Sequence, residues 1–567
     1  MASIIGKRRG NATCCYLVES ARVNGQPRIV SRGYPGTAGE LAGAMRGGGP
    51  GLPGRTRHKH FGAVAAAWGM LEDLGVAGII DQVTGPRRSD AGASVGTYLV
   101  LAALGRLVAP CSKLAFADWW AGTAAGRFTG ISAPALDHRR FWDAMHAIGL
   151  EQLEEISRRI ALAIVDVSGV DCSSVALDMT NFATFIDTGN ERAPVAQRGK
   201  AKQKRTDLRL AGLGLVVTRD GGIPLTWHAY PGDKPDVTQF PAMIDTLASR
   251  HEAICAASGQ VAADVTVVFD AGQNSAANFA HLAGTRLHYV GSVPASDCAG
   301  LTRLPASARA VVDEDRFGEL TAYDTRREVY GAGRRTILTH SPELHAAQAA
   351  GFTGTTLAKA GKKLDELAAT LARGKTRRSR AKVEAEIGKI LHDTWARRVI
   401  TWQLAGDTPK DHRLTWRVDP SARAALEEEI FGKHVLITDH DDWPVAEVVA
   451  AYRSQSEAEA SFRQMKDPRA ASFSPMFHWT EHNIRVHVFT CVLALQLAHL
   501  MRRRVTQAGL DLSVRVLLAE LTGIGETVLL YPGQRGRPRA HRMLTDTTPV
   551  QDKLIKIFGL GRYAPRR

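Results

Sequence analysis

The apolar residues between positions 172 and 295 occur in short runs, and these runs constrain the fold more than any other part of the chain. They predict three strands, a helix, a strand, a second helix and a last strand, in that order. The turn RDGG at 219–222 favours an antiparallel hairpin between the second and third strands, because glycine readily adopts the backbone angles of tight hairpin turns. Strands separated by helices favour parallel pairing. The fold class is therefore α/β.

This order of elements fits a ribonuclease-H-like sheet. The runs VALDMTNF and VTVVFDAGQN contain Asp178 and Asp270, and both are typical of apolar strands that end in a carboxylate. In a ribonuclease-H-like sheet the first and fourth strands are neighbours. We therefore expect Asp178 and Asp270 to lie side by side at one edge of the sheet.

A third acidic motif, AYRSQSEAEASFRQMK, predicts a helix. Five of its residues are spaced to share one helical face: Tyr452, Gln455, Glu459, Arg463 and Lys466. Glu457 lies off this face. One carboxylate with two cations beside it suits a metal ligand near phosphates. The alternative is a charged surface with an ion pair between Glu459 and Arg463.

Three carboxylates that are distant in sequence can converge in a fold. Carboxylate oxygens are the hard ligands that Mg²⁺ prefers. Two divalent cations held by Asp178, Asp270 and Glu459 would clamp the attacking and leaving oxygens of a phosphodiester during in-line displacement.

The charge of the chain favours a polyanionic partner. Its 72 Lys and Arg exceed its 57 Asp and Glu, which gives a formal net charge of +15. The seven cysteines contain no CxxC pair, so free thiols in a reducing cytoplasm are expected. No secretory signal is apparent at the N-terminus, and the apolar run at 488–500 is too short to span a bilayer. We expect a cytoplasmic protein and a buried core helix at that run.

The remaining patterns divide the chain into segments, and 567 residues are enough for three or four domains. One of them, the mostly helical segment 56–170, suits DNA binding and dimerisation equally well. The expected segments are an N-terminal β-hairpin and linker (1–55), a mostly helical domain (56–170), the first part of the catalytic core (171–300), a large insertion domain (301–440), the second part of the core (441–508) and a basic C-terminal region (509–567).

Basic residues also cluster before the second strand of the core. We expect contacts with the DNA backbone from Lys200, Lys202, Lys204 and Arg205. A solvated loop is the alternative. The dipeptide Asn24-Gly25 is typical of a hairpin turn. The segment RGRPR at 535–539 resembles arms that reach into the minor groove of DNA, and a solvated basic tail is the alternative.

Together the three motifs resemble those of DDE transposases from bacterial insertion sequences. The group concerned is the insertion-sequence-four group, which has a Tyr-x2-Arg-x3-Glu-x6-Lys signature. Tyr452, Glu459 and Lys466 match that signature, and Gln455 stands at its Arg position. Arg453 and Arg463 are the candidates for replacing that Arg. The resemblance extends over roughly 170–300 and 435–505.

The resemblance implies an enzyme that cuts and joins DNA. Two Mg²⁺ ions, which Mn²⁺ can replace, would lie between Asp178, Asp270 and Glu459. A water would cut one strand at the element's end, and the freed 3′-hydroxyl would then attack the target. Tyr452 and Lys466 would hold DNA phosphates. The implied partners are terminal inverted repeats, target DNA and a second copy of the chain, in the bacterial nucleoid.

Two other readings of the sequence remain open. The first is a metal-dependent DNA nuclease of the same fold that cuts without joining. The second is a catalytically silent DNA-binding regulator, against which the intact acidic triplet argues.

Overall fold

The computed structural model describes residues 2–23, 26–45, 52–86, 92–199, 207–258, 264–375, 377–532 and 539–566. Four basic residues expected to contact DNA lie outside these ranges: Lys200, Lys202, Lys204 and Arg205. The Asn24-Gly25 turn and most of RGRPR also lie outside them.

The first half of the chain alternates short sheets with groups of helices. Its first part contains β1 (Ala2–Arg9), β2 (Ala12–Val23), β3 (Gln26–Thr37), α1 (Ala38–Met45), β4 (Arg55–His60), α2 (Gly62–Asp73), α3 (Val76–Thr84), α4 (Val95–Val108), α5 (Lys113–Ala121), α6 (Ala125–Thr129), α7 (His138–His146) and α8 (Leu150–Ser168). The next part contains β5 (Ser174–Thr184), β6 (Ala196–Gln197), β7 (Arg209–Thr218), β8 (Pro224–Pro231), α9 (Phe240–Ser258), β9 (Val265–Phe269), α10 (Ala276–Ala283) and β10 (Leu287–Val293).

The second half continues in the same way. It begins with α11 (Ala299–Thr302), β11 (Ala310–Val311), α12 (Glu314–Phe317), β12 (Thr321–Val329), β13 (Ala332–His340), α13 (Pro342–Gly351), a π-helix (Phe352–Leu357), α14 (Ala358–Ala372), α15 (Arg380–Ile390), α16 (Thr394–Val399), β14 (Ile400–Ala405), β15 (Arg413–Val418), α17 (Pro420–Ile430) and β16 (Lys433–Thr438). It ends with α18 (Val445–Arg453), α19 (Gln455–Lys466), α20 (Glu481–Gln507), α21 (Val514–Thr522), β17 (Gly525–Tyr531), β18 (Arg539–Leu544) and α22 (Pro549–Ile557).

The chain forms two compact units. One comprises Met1–Gly69, Ala117–Pro134 and Val516–Arg567, and the other comprises Met70–Phe116 and Ala135–Arg515. The predicted helical segment 56–170 is helical over most of its described length, and its residues are divided between the two units. The described N-terminal residues form a three-stranded antiparallel sheet, β1-β2-β3, where a hairpin was expected.

The larger unit is built around a mixed ten-stranded sheet. Its strand order is β11-β12-β13-β16-β10-β9-β5-β7-β6, and β8 also pairs with β7. The pairs β5–β7 and β7–β8 are antiparallel, whereas β5–β9 and β9–β10 are parallel. The α/β class and the antiparallel hairpin beside parallel strands are thus present in the structure.

Both faces of this sheet are covered by helices. Alternate residues of β5 enter different cores: Val175, Leu177 and Met179 pack with α9 and α10, and Ala176 and Phe182 pack with α18, α19 and α20. Burial on both faces explains why the strands read as nearly continuous apolar runs. Helix α20 is long and apolar enough to cross a membrane, but 94% of its apolar window is buried inside the protein.

The region expected to be an insertion domain is partly continuous with the sheet. Strands β11, β12, β13 and β16 extend the sheet beyond β10. Between β13 and β16, a helical excursion with the two-stranded sheet β14–β15 has a hydrophobic core of its own, which includes Leu364, Leu371, Ile387 and Phe431. Helices α14 and α15 each bury one apolar stripe in that core, Leu364, Leu367 and Leu371 on α14 and Val383 and Ile387 on α15.

Arg335 holds the extended part of the sheet together. It is 9% exposed, and its guanidinium donates to both carboxylate oxygens of Asp324, from Nε to Oδ1 at 3.2 Å and from Nη2 to Oδ2 at 2.7 Å. Its Nη1 also donates to the carbonyls of His440 and Trp443, each at 2.7 Å. One side chain therefore joins β12, β13 and the segment that follows β16.

Arg335→Met should lower the free energy of unfolding of the larger unit by about 2–3 kcal/mol, because two carbonyls and the 38%-exposed carboxylate of Asp324 lose their donor. Urea denaturation would measure this loss. Arg326→Met is the matched control: its partner Asp441 is 58% exposed, so the loss should stay within about 1 kcal/mol. Equal losses in the two variants would contradict this role for Arg335.

Candidate active site

The parallel pairing of β5 with β9 brings two acidic residues together. Leu177 pairs with Phe269 at the end of this ladder, and the next residues along the two strands are Asp178 and Asp270. Neighbouring strands lie about 5 Å apart, so the two Cα atoms are close. The side chains at both positions point to the face of the sheet that α18, α19 and α20 cover, because Ala176 and Val268, two residues earlier, belong to that core.

The strand that carries Asp178 is longer than the sequence suggested. β5 continues to Thr184, so Asp178 lies in the middle of the strand and not at its end. It is half-buried, and its Oδ1 accepts a hydrogen bond from the Met179 amide at 2.8 Å. The strand continues because β7 pairs with β5 over its whole length, whereas β9 stops at Phe269.

Asp270 follows the last residue of β9 and is exposed. Its Oδ1 accepts hydrogen bonds from the Ala271 amide and the Ser292 hydroxyl, each at 2.7 Å. Its Oδ2 accepts none from the described residues. Ser292 lies on β10. One sign of its role was visible in the sequence, a polar residue within an apolar strand. Asp270 is thus held in place with one oxygen available.

The third motif forms two helices where one was expected. The break lies at Ser454, between α18 and α19, and the Ser454 hydroxyl donates to the Ala451 carbonyl at 2.6 Å. Tyr452 is therefore on α18, and Glu459 is on α19. The expected common face is therefore interrupted between Tyr452 and Gln455. On α19, Gln455 is buried, whereas Glu459, Arg463 and Lys466 are exposed.

Both ends of α19 are tied to β5, one on each side of Asp178. Gln455, the first residue of α19, donates through Nε2 to the Leu177 carbonyl at 3.0 Å. Lys466, the last, donates through Nζ to the Thr180 hydroxyl at 2.8 Å. These two bonds fix the helix across the strand at Asp178. Gln455 is 7% exposed, so the residue at the signature's Arg position is a packing residue in this chain.

Tyr452 links the helices to the strand ends. Burial raises the pKa of its phenol, and the negative charges of Asp270 and Glu459 raise that pKa further, while a side-chain hydrogen bond with Ser292 opposes the rise. The phenol of Tyr452 is therefore close enough to both Asp270 and Glu459 for their charges to raise its pKa. The carboxylate of Glu459 forms no hydrogen bond or ion pair with the described residues, so the alternative ion pair with Arg463 is not formed.

The other predicted residues near the motif have different surroundings. The Arg453 guanidinium lies 4.6 Å from the centre of the Phe317 ring and is exposed. Arg463 is exposed on α19. Glu457, which the sequence pattern left out, forms an ion pair with Arg502 at 2.8 Å. Its carboxylate is therefore engaged in packing α19 on α20.

Two further groups lie near the carboxylates. His434, on β16, has its pKa lowered by burial, with the charge of Asp270 acting in the opposite direction. Tyr230, on β8, has its pKa raised by burial, then by Asp236 and finally by Asp178. No local sequence pattern pointed to His434, because its position depends on β16 joining the sheet beside β10.

A separate group of His and Asp side chains, residue types that can ligate metal ions, lies at the opposite end of β10. It comprises His288, Asp439 and His440, whose ligand atoms lie within 4.8 Å of one another. His288 is near the start of β10, whereas Ser292 and Asp270 are near the ends of their strands. This group is therefore distinct from the three predicted carboxylates.

Gln455→Leu should lower the free energy of unfolding by about 1 kcal/mol, because the Leu177 carbonyl loses its donor in a buried place. Thermal or urea unfolding would measure this. Ser456→Ala, at an exposed neighbouring position whose hydroxyl bonds the Arg453 carbonyl, is the control and should change stability by less than about 0.5 kcal/mol. Unchanged stability of Gln455→Leu would show that the bond to β5 is not needed.

Comparison with known proteins gives one family. No curated protein sequence matches the chain. A solved structure, the cryo-EM structure of a piggyBac transposase synaptic complex with hairpin DNA, is similar over 81% of this chain and 78% of that chain, with 8% identity and a TM-score of 0.35. Residues 175–497, more than half of the chain, match the transposase DDE domain family. The chain belongs to the transposase DDE domain family.

Proposed function

We propose that this protein is a DNA transposase that cuts and joins the ends of an insertion sequence by metal-dependent phosphoryl transfer. The observation that carries the proposal is the register of β5 and β9, which makes Asp178 and Asp270 neighbours, with Tyr452 near both Asp270 and Glu459. These three carboxylates, Asp178, Asp270 and Glu459, are the proposed catalytic residues.

The strand order supports a ribonuclease-H-like core. Strands β5, β7 and β8 form an antiparallel meander, and β9 and β10 follow in parallel on the other side of β5. In this proposal the core comprises residues 171–300 and 441–508. The segment 301–440 is the insertion, of which the helical excursion 341–432 is the part that stands apart from the sheet.

The carboxylates have the donor chemistry for Mg²⁺ or Mn²⁺. All three offer hard oxygen atoms, and both Asp270 Oδ2 and the Glu459 carboxylate have no hydrogen-bond partner among the described residues. Asp178, Asp270 and Glu459 would hold two ions. When bound, such ions supply charge stabilisation for the phosphate and make water or a 3′-hydroxyl a stronger nucleophile.

The surrounding residues would hold the DNA. Lys466 has its ammonium beside Thr180, two residues after Asp178 and on the same side of β5, where it can meet a phosphate. Tyr452 is placed to orient Asp270 through Ser292. Exposed Arg453 and Arg463 extend the positive charge along α18 and α19. In this proposal Lys200, Lys202, Lys204 and Arg205 contact the DNA backbone.

The wider assignment follows from the signature. Tyr452, Glu459 and Lys466 match the insertion-sequence-four group, so we propose terminal inverted repeats and target DNA as substrates. We also propose a homodimer that pairs two ends in the bacterial nucleoid. Because Gln455 is buried, the phosphate contact of the signature Arg would come from Arg453 or Arg463 in this chain.

Asp178→Asn, Asp270→Asn and Glu459→Gln should each lower strand cleavage at least about 1,000-fold, in the range expected when a metal-based displacement loses a ligand, while DNA binding stays within about 3-fold. The substrate would be a plasmid carrying the DNA that flanks the gene, with Mg²⁺ added. Glu457→Gln is the matched control, because its carboxylate pairs with Arg502, and it should keep cleavage. Full cleavage by all three variants would overturn the proposal.

A strand-transfer assay with pre-cut ends separates a transposase from a nuclease of the same fold. The transposase should give joined products that carry the 3′ end on the target. A protein that cuts the plasmid but never joins pre-cut ends would be the nuclease.

Ser292→Ala should weaken Mn²⁺ binding by about 10- to 100-fold, because Asp270 loses the hydroxyl that orients it. Isothermal titration of the protein with Mn²⁺ would measure this. Ser296→Ala is the control: its hydroxyl bonds Asp297 and not Asp270. Equal Mn²⁺ affinities for Ser292→Ala and the wild type would remove this role.

A further inference from the structure

The larger unit contains a cavity of about 720 Å³ that the proposed catalytic residues do not use. It lies between the segment after α4, helix α7 and the loop before α20. Its chemically distinctive lining residues are Arg106, Lys113, Trp142, Phe477, His478 and Trp479.

Two cations line this cavity, and none of the described residues that line it is an Asp or Glu. Arg106 is 6% exposed, its Nη2 donates to the Pro475 carbonyl at 2.8 Å, and its buried Nη1 has no partner among the described residues. The Lys113 ammonium is 3.1 Å from His478 Nε2. No Asp or Glu of the described residues bonds either cation. A buried charge without a counterion is costly, so the arrangement favours an anionic ligand.

The electrostatics of the cavity agree with this. Burial lowers the pKa of Lys113 to about 7, and the positive charge of Arg106 lowers it further in the same sense. Burial also lowers the pKa of His478 to about 2, so this imidazole stays neutral and accepts from Lys113. A bound anion would bring the Lys113 pKa back up and keep its charge.

Flat aromatic surfaces stand around the two cations. Trp142, Phe477 and Trp479 are 43%, 71% and 53% exposed, which is unusual for such large apolar side chains. The Arg192 guanidinium lies 5.4 Å from the centre of the Trp479 ring. Exposed aromatic faces beside cations are the features that bind unpaired nucleotides, since any base stacks on them and its phosphate meets the charge.

The cavity is joined to the proposed active site through β5. Phe473, in the loop that leads from α19 to the cavity, stacks on Phe182 of β5 with ring centres 4.2 Å apart. Lys466, just before that loop, bonds Thr180 on the same strand. A DNA strand that passes Asp178 and follows β5 would therefore arrive at the aromatic residues of the loop.

We propose that this cavity binds one unpaired nucleotide of the DNA substrate, with its phosphate at Arg106 and Lys113 and its base on Trp142, Phe477 or Trp479. The inference rests on the proposed function, because it takes DNA as the substrate. A free mononucleotide has the same chemistry, and the experiment separates the two sources.

The test is binding of fluorescent DNA without divalent metal, followed by anisotropy. The probes are a duplex with an unpaired overhang, a blunt duplex of the same sequence, dTMP and inorganic phosphate. The wild type should prefer the overhang duplex, and Trp479→Ala or Arg106→Met should each lower that affinity about 5- to 100-fold while leaving the blunt duplex unchanged. Neither dTMP nor phosphate should compete at concentrations comparable with the overhang duplex.

Arg139→Met is the matched control, because it removes a cation from α7 that does not line the cavity, and it should keep the preference. Phe477→Ala, at an exposed position, tests the same point if Arg106→Met fails to fold. Unchanged affinity of Trp479→Ala and Phe477→Ala for the overhang duplex would overturn the inference. Competition by dTMP as effective as that by the overhang duplex would also overturn it, in favour of a mononucleotide site.

The outcome is independent of cleavage. A wild type that does not cleave DNA would contradict the proposed function. The preference for an unpaired nucleotide is measured by binding alone, without divalent metal and without cleavage. A wild type that cuts DNA but binds both duplexes equally would leave the proposed function intact and remove this inference alone.

Discussion

The parallel pairing of β5 with β9 is the interaction on which the candidate site depends. Its register is fixed because alternate residues of both strands are buried in different cores, one on each face of the sheet. If β5 slipped by one residue, its side chains would change faces, and Asp178 would point into the apolar core that contains α9 and α10. Burial of β5 and β9 on both faces thus fixes the pairing of Leu177 with Phe269, which makes Asp178 and Asp270 neighbours.

Helix α19 completes the arrangement because it is fixed at both ends. Gln455 and Lys466 bond β5 on either side of Asp178, so Glu459 is carried by a helix that cannot easily shift along the strand. The cost of this anchoring is a buried glutamine with one unsatisfied oxygen. The loop that follows Lys466 leads to the proposed nucleotide cavity. Strand β5 and helix α19 therefore contribute to the proposed cleavage site and also contact or precede this loop.

Much of the core could be predicted from local patterns. The apolar runs predicted the strands that carry Asp178 and Asp270, and the two-sided burial of those strands made the runs easy to recognise. Helical spacing separated Glu459 from Glu457, and the structure gives Glu457 an ion pair with Arg502. The spacing argument failed for Tyr452, because the break at Ser454 places Tyr452 on α18 and the rest of the motif on α19.

The sequence by itself determined the α/β pattern of the core and the acidic motifs, because both depend on residues close together in the chain. It also determined the excess positive charge, which depends on composition alone. Only the tertiary structure decided that β5 continues past Asp178 and that β16 joins the sheet beside β10. It alone brought Ser292 to Asp270, Pro475 to Arg106 and His478 to Lys113. Those contacts join residues that are distant in sequence, and their free energy comes from packing and electrostatics that local patterns do not record.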